Sequence, residues 1–552
     1  VELTGFGVGT KVAVGTVVRM PDPLPEPDAN ARVDGDLDAE RQRALAALSE
    51  VARDLQARAA ELDGPARDVV EASAMMAADP SLADAVAERT AIGKTAERAV
   101  FEAFESFRAT LRSMGGYMAE RATDLGDVSQ RVVARLLGVP APEVPHSDEP
   151  FILVAHDLAP ADTAKLDLSK VLALVTRDGS PKAHTGILAA EKGLPAVVAV
   201  NGADRIADGA TVIVEAGSGA VFVNPTQQQL ANAKREIDRQ AALAAAPIEP
   251  GALADGTRIQ VLANVGKPGD GPRAVQLGAE GVGLFRTEFL FLDSDDAPSV
   301  AKQIADYTEL LTHFSGMKVV ARVLDAGADK PLAFLTDSDE PNPALGLRGI
   351  RVLKSREQVL RDQLTALAAA QAATGAELWV MAPMVAEASE SEYFTSLARE
   401  LGIQVAGSMI EVPSAAILAE QVLQSSDFIS IGTNDLTQYT LAADRVLGSV
   451  AGFQDPWHPA VLRLIKIAGD AGEATGKSVG VCGEAAADPR LAVVLVGLGV
   501  RSLSMAPPAF AEVRAALRRV TLERAREVAA AVLQATSAAA AREIGAELLA
   551  AR

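Results

Sequence analysis

Between Phe428 and Arg445 the chain runs Phe-Ile-Ser-Ile-Gly-Thr-Asn-Asp-Leu-Thr-Gln-Tyr-Thr-Leu-Ala-Ala-Asp-Arg. The short apolar run Phe428 to Ile431 predicts a buried strand. Gly432 then frees the backbone, and Asn434 and Asp435 follow where the strand would end. Arg445 stands about three helical turns further on. An amide, a carboxylate and a guanidinium near one strand tip suit a small anion held together with a divalent metal.

Polar residues end other short apolar runs in the same way. Asn264 ends one, Arg286-Thr-Glu288 a second, and Arg322 a third, with Asp325 and Lys330 close behind. Glu411 and Cys482-Gly-Glu484 end two more. Arg286 and Arg322 carry fork-shaped donors that match phosphate oxygens. Glu411 and Asp435 are hard oxygen ligands of the kind magnesium takes, with substrate oxygens and waters completing its shell. No His/Cys cluster is present, so zinc is not expected. Arg445 suits a carboxylate. Cys482 is, by type alone, either an ordinary buried cysteine or a proton donor, and type alone favours the first.

The elements that must position these residues are legible as a repeated theme. Eight strand-like runs span the last 300 or so residues: Ile259–Ala263, Gly281–Phe285, Val319–Val323, Leu378–Ala382, Val405–Ile410, Phe428–Ile431, Ser478–Cys482 and Val500–Ser504. Helical patterns separate them, and a helix follows the last from about Ala509. Eight strand–helix repeats predict a (β/α)8 barrel over residues 252–552, with a doubly wound open sheet as the alternative. A barrel places its site at the carboxyl ends of its strands, where the polar residues cluster.

The N-terminal half is organised differently. Proline-rich breaks, Met20 to Pro27 and Val139 to Pro145, flank a block with Leu45, Leu48, Val51, Leu55, Ala59 and Leu62 at helical spacing. Residues 21–145 are therefore expected to form an all-α unit of four helices. Short apolar runs between Phe151 and Val223 predict a small α/β unit, residues 146–223, to which the strand-like residues 1–20 would return. The helical block is then an insertion. Residues 224–251 read as a polar helix and linker, broken by Ala246-Pro-Ile-Glu-Pro-Gly251.

Bulk properties set limits. The chain has 552 residues, 49% apolar and 4% aromatic, enough for several domains. No apolar run approaches the ~20 residues of a membrane span. Val1 to Met20 lacks a signal-peptide pattern, so a cytoplasmic protein without membrane insertion is expected. A single cysteine excludes an internal disulfide, and a net charge of −21 argues against nucleic acid as partner. Of five histidines, His184 alone follows a glycine-containing turn into a predicted helix, Thr185 to Glu191. A helix start favours a phosphorylated side chain, and a neutral imidazole is a good nucleophile. His146, His156, His313 and His458 read as structural or exposed.

Gly281-Val-Gly-Leu-Phe-Arg-Thr-Glu-Phe-Leu-Phe291, Gly407-Ser-Met-Ile-Glu-Val-Pro413, the Phe428–Arg445 stretch and Gly480-Val-Cys-Gly-Glu484 closely resemble the phosphoenolpyruvate-utilising barrel family. Within it the likeness is to the enzyme I group of the bacterial phosphotransferase system, and it covers nearly the whole chain. The resemblance implies that Arg286, Arg322, Asn434, Asp435 and Arg445 bind phosphoenolpyruvate and that Glu411 and Asp435 bind Mg2+. It implies that Cys482 protonates the departing enolate to give pyruvate, reversing the reading from type alone. It implies His184, within Arg177 to Pro195, as the phosphohistidine, on a unit that swings between the barrel and a small phosphocarrier protein (HPr) docked on the helical block. Homodimerisation through the barrel and a first step in sugar uptake are further implications.

The chain also departs from the group. Lys182-Ala183 stand where Thr-Ser is usual before the histidine. In Tyr117 to Arg131, Gly126 stands where an arginine is usual and Gln130 where a basic residue is common. Two alternatives are a pyruvate-phosphate dikinase or phosphoenolpyruvate-synthase relative lacking the ATP domain, and a non-catalytic regulatory paralogue. Residues 21–145 are too few and too helical for an ATP-grasp domain.

Overall fold

Runs rich in valine, isoleucine and leucine make the strands of the N-terminal half, as the β-branched valine and isoleucine favour a pleated, buried surface. The structure, a computed structural model, describes residues 1–60, 65–114, 116–142, 145, 147–158, 166–167, 169–179, 181, 184–291, 296–326, 332, 334–336, 340, 342–445 and 447–550. The described residues divide into two compact units, Val1–Ile237 and Asp238–Arg552.

In the first unit β1 (Glu2–Thr4), β2 (Phe6–Val8), β3 (Val12–Arg19), β4 (Phe151–Ala155), β5 (Val171–Thr176), β6 (Ala196–Val198), β7 (Thr211–Glu215) and β8 (Ala220–Val223) share one sheet. Its order is β1-β8-β7-β3-β4-β5-β6-β2. The strands from β3 through β6 in that order run parallel, with Thr16 opposite Phe151 and Arg19 opposite Val154 at the β3–β4 seam. Successive side chains of β4 feed opposite cores: Ile152 and Val154 one, Phe151, Leu153 and Ala155 the other. A strand buried on both faces reads as a continuous apolar run, which Phe151–Ala155 is.

Between β3 and β4 the described residues form five helices, one more than the sequence pattern predicts: α1 (Leu37–Ala60), α2 (Pro65–Ala77), α3 (Pro80–Ala91), α4 (Ala96–Met114) and α5 (Gly116–Leu137). One break falls at Asp79-Pro80. The Asp79 carboxylate accepts from the Ser81 N–H at 2.8 Å, and Pro80 occupies the first turn, where its missing N–H costs nothing. Leu48, Val51 and Leu55 of α1 pack with Leu82, Val86, Val100, Phe104, Val128 and Val132 in one apolar core.

In the second unit β9 (Gln260–Val265), β10 (Gly281–Arg286), β11 (Lys318–Arg322), β12 (Glu377–Ala382), β13 (Val405–Ile410), β14 (Phe428–Gly432), β15 (Ser478–Cys482) and β16 (Ser502–Met505) close into a parallel eight-stranded barrel. The barrel, and not an open sheet, is the fold. Its last strand starts two residues later than expected: Val500 is fully buried but lies in the turn that Gly499 makes at φ +107°. Inside, Leu284, Val320, Met381, Met409, Phe428 and Cys482 fill the barrel with Trp379 and Val405. Outside, alternate strand residues such as Phe285 and Ile429 meet the helices.

Phe285 is fully buried, and its ring meets that of Tyr307 edge-on at 6.0 Å. Phe285→Ala removes that ring from the barrel–helix layer and is expected to cost about 3–5 kcal/mol. Urea unfolding followed by circular dichroism checks this, and an unchanged barrel transition would contradict the assigned packing.

Candidate active site

The carboxyl ends of the barrel strands bring most of the expected residues into one buried cluster. Arg322 ends β11, and its guanidinium lies 2.7 Å from Glu288 Oε1 and 2.9 Å from Asp325 Oδ2. Arg348 meets the same Asp325 in a two-pronged pair, Nε to Oδ1 and Nη2 to Oδ2, both at 2.9 Å. Its remaining nitrogen, Nη1, donates to Asp435 Oδ1 at 2.8 Å and to the Tyr439 hydroxyl at 3.0 Å. Arg445 reaches the other oxygen of Asp435 at 3.3 Å. Tyr439 donates in turn to the Ala344 carbonyl, which ties the loop before Arg348 to the helix Thr433–Leu441.

Burial sets the electrostatics. Glu288, Arg322, Asp325, Arg348, Glu411 and Asp435 are all under a tenth exposed. Taking such charges out of water is costly unless they pair, and here the guanidinium forks do the pairing. Burial opposes the charge on Asp325, but Arg348 and Arg322 outweigh it and hold its carboxyl well below the usual range. Asp435 is likewise held low against its burial by Arg348 and Arg445. Glu411 goes the other way. Burial, with Asp435 and Asp325 nearby, pushes its carboxyl up to about 8. Its Oε1 accepts the Met384 N–H at 2.6 Å, a donor aimed by the left-handed backbone of Met384 at φ 58°. A left-handed methionine is strained, and such strain collects at functional sites.

Arg286 ends β10 and Asn434 lies in the first turn of the helix Thr433–Leu441; both are partly exposed. Among the described residues neither side chain has a hydrogen-bonding partner, so both hold unused donors near the buried pairs. Asn264 is engaged, accepting from Ser504 Oγ at 2.6 Å. Glu484 is exposed at the start of a short helix. Lys330 lies outside the described residues.

Cys482 ends β15 inside the barrel, 3% exposed. Its sulfur accepts from Ser430 Oγ and donates to the Ile431 carbonyl, both at 3.5 Å. Burial pushes the thiol up to about 11. At neutral pH it therefore holds its proton, which makes it a weak nucleophile and a competent acid. Cys482 is thus both buried, as its type suggests, and chemically equipped to give up a proton.

His184 is the first residue of the helix His184–Lys192, one residue ahead of the expected start. The preceding turn comes so close that a Cβ on Gly186 would sit 2.1 Å from the Pro181 carbonyl oxygen, so glycine is required there. Thr185 is buried, with its hydroxyl 3.4 Å from the Leu158 carbonyl. Lys182 and Ala183 lie outside the described residues, as does His146. His156 pairs with Asp22 at 3.2 Å, His313 follows the helix Val300–Thr312, and the His458 ring accepts the Ala460 N–H at 3.3 Å as a helix cap.

Two contributors escape the strand-tip rule. Arg348 lies in the loop after Pro343–Leu345, far from any strand end. The available signal was an arginine set between Gly346 and Gly349, with a backbone free to turn it inward. Tyr439 lies one helical turn beyond Asp435, on the same face, a spacing readable only once the helix is known.

Three family models match the chain: PEP-utilising enzyme, N-terminal, over residues 4–121; PEP-utilising enzyme, mobile domain, over 147–219; and PEP-utilising enzyme, PEP-binding domain, over 240–522. A Streptomyces coelicolor protein named phosphoenolpyruvate-protein phosphotransferase is 53% identical over 543 residues, 98% of each chain. One of the same name from Haloferax volcanii is 40% identical, again over 98% of each. An NMR solution structure of Enzyme I (nEIt) matches at 27% identity and TM-score 0.38, covering 43% of this chain and 99% of that one. By these matches the chain belongs to the PEP-utilising enzyme family.

Proposed function

We propose that the chain moves the phosphoryl group of phosphoenolpyruvate to His184, and then to a histidine of a small HPr-type phosphocarrier protein, releasing pyruvate. The observation that carries this is the mouth of the barrel. Arg322, Arg348 and Arg445 are gathered there with Glu411 and Asp435, beside the unused donors of Arg286 and Asn434. The names of the Streptomyces and Haloferax relatives favour a protein as acceptor over a dikinase reaction.

Transfer of this kind rests mostly on positioning and charge. Arg286 and Arg322 neutralise phosphoryl oxygens, Arg445 holds the substrate carboxylate, and Asn434 donates to the ligand. The donor set fits a divalent cation. Glu411 and Asp435 are hard oxygen ligands, and burial, with Asp435 and Asp325 nearby, keeps the Glu411 carboxyl protonated against the pull of Arg322 and Arg348. Glu411 and Asp435 would hold a magnesium ion, which would supply Lewis-acid chemistry that draws negative charge off the substrate. A neutral His184 ring nitrogen forms the N–P bond while the bond from phosphorus to the enol oxygen breaks. The enolate left behind takes a proton on its methylene carbon from the Cys482 thiol, which water restores.

The helical block is assigned to the carrier. The Arg108 guanidinium of α4 lies over Gly126 of α5: a Cβ there would come within 3.1–3.2 Å of it. The cation expected from position 126 is thus supplied by the neighbouring helix. Gln130 accepts the Leu24 N–H at 2.7 Å, a bond that a lysine or arginine could not make. In the second unit Leu345, Leu347, Ile417, Leu447 and Phe453 are each more than half exposed, apolar side chains that would suit contact with a second copy of the chain. A single buried cysteine, compatible with a reducing compartment, and the carrier chemistry support a cytoplasmic location.

Phosphoenolpyruvate labelled on phosphate, with Mg2+, is expected to leave acid-labile label on the protein and none on His184→Ala. Absence of label on the unaltered chain would sink the transferase reading, and label surviving the substitution would sink the site. Cys482→Ala should still form phosphohistidine but slow pyruvate formation about 10²-fold; pyruvate release at full speed would remove its role. Glu411 is protonated below about 8, whereas a metal ligand must be ionised. Mg2+ binding at pH 7 should therefore release about one proton, falling toward zero above about pH 9. Calorimetry in buffers of differing ionisation enthalpy reads this, and Glu411→Gln should abolish it.

A further inference from the structure

We propose that Gln363, on the outer helix Glu357–Thr374, is a positioning residue that fixes the β10 and β11 tips relative to each other. The proposal rests on the reading that these tips hold phosphoenolpyruvate. The backbone ladder between the two strands ends at the pair Arg286–Arg322. The chain beyond it carries Thr287 and Glu288 on one tip and Leu324 and Asp325 on the other, with no further backbone pairing between them. Glu288 and Asp325 are the two carboxylates that orient Arg322. Their spacing therefore depends on something other than the sheet.

Gln363 supplies it. The side chain is 1% exposed and reaches from the helix beneath both tips. Its Nε2 donates to Thr287 Oγ1 and to the Tyr307 hydroxyl, each at 3.0 Å. Its Oε1 accepts the Leu324 N–H at 2.9 Å. Thr287 completes the link by donating to the Arg322 carbonyl at 2.7 Å. The outer end is anchored too: Tyr307 donates to Gln303 Oε1 at 3.1 Å, and Gln303 donates to the Pro298 carbonyl at 3.0 Å. One amide thus spends both donors and an acceptor across two strand ends and a second helix. A buried network with every member engaged holds a single geometry, because each lost bond strands a desolvated polar group. The two residues it grips, Thr287 and Leu324, each sit next to a carboxylate on Arg322. Gln363 itself touches neither the mouth of the barrel nor any of its charged groups.

The test is phosphoenolpyruvate affinity by calorimetry with Mg2+ on the full chain, alongside thermal unfolding and pyruvate turnover. Gln363→Met keeps the volume and removes all three bonds. It should weaken binding and raise KM about tenfold, since sub-ångström misplacement of binding groups is felt at that level. Tyr307→Phe breaks only the outer anchor, so it should lower the unfolding temperature yet leave affinity within about twofold. Thr287→Val cuts the link to Arg322 from the other side and should repeat the affinity loss of Gln363→Met, which keeps the test open if that variant does not fold. A purely structural role predicts fewer binding-competent molecules of unchanged affinity; unchanged affinity in Gln363→Met or Thr287→Val would overturn the proposal. An unaltered chain that binds no phosphoenolpyruvate would overturn the functional reading and this one together, whereas binding retained by all variants overturns this one alone.

Discussion

Asp325 is the group on which the barrel mouth depends. It is almost completely buried, and both of its oxygens are taken by arginines, Arg348 at two points and Arg322 at one. Without it, buried Arg348 would lose its main counter-charge and buried Arg322 one of its two, a situation a protein interior tolerates poorly. With it, Arg322 and Arg348 are held at fixed distance and fully ionised. Asp435 is reached through the same Arg348 and so joins the cluster. Glu411 is the member left over. Burial, with Asp435 and Asp325 nearby, outweighs the pull of Arg322 and Arg348, so its own carboxyl stays protonated until something else supplies positive charge. The network is nearly balanced in itself, short of one cation.

This balance has a chemical meaning for an anionic substrate. Arg322 and Arg445, proposed to bind phosphate and carboxylate, are already engaged with acids, so at these two an incoming anion exchanges one partner for another and need not find a bare cation. Exchange of that kind keeps the desolvation cost low in both states and sets geometry before the ligand arrives. Arg286 and Asn434 are the members with donors in reserve.

Much of this was legible in the chain itself. The strand-tip pattern depends only on short aliphatic runs with a polar residue after each, so Arg286, Arg322, Glu411, Asp435 and Cys482 could be placed at one end of a barrel before any coordinates. Arg348 could not, because it reaches the cluster from a loop whose path is set by Tyr439 and by the turn at Gly349. Gln363 was hidden for a different reason: a buried glutamine on an amphipathic helix looks like an interruption of the apolar face, and only its three partners reveal its use. Val500 misled as a strand residue because burial alone produces apolar runs, and a buried turn produces them too. The start of α3 was readable from Asp79-Pro80, a cap and first-turn pair.

The parallel seam between β3 and β4 makes the helical block something other than a module hung on a loop. Parallel neighbours run the same way, so the chain leaving β3 at Arg19 must travel back to the opposite end of the sheet before entering β4 at Phe151. With Thr16 facing Phe151 and Arg19 facing Val154, those two ends stand roughly 10 Å apart along the strand direction. Helices α1 to α5 are that return journey. Excising them and joining the stumps with a tight hairpin would reverse β4 and bring both faces of its side chains out of register. A minimal version of this unit therefore needs a replacement return segment of a dozen residues or more.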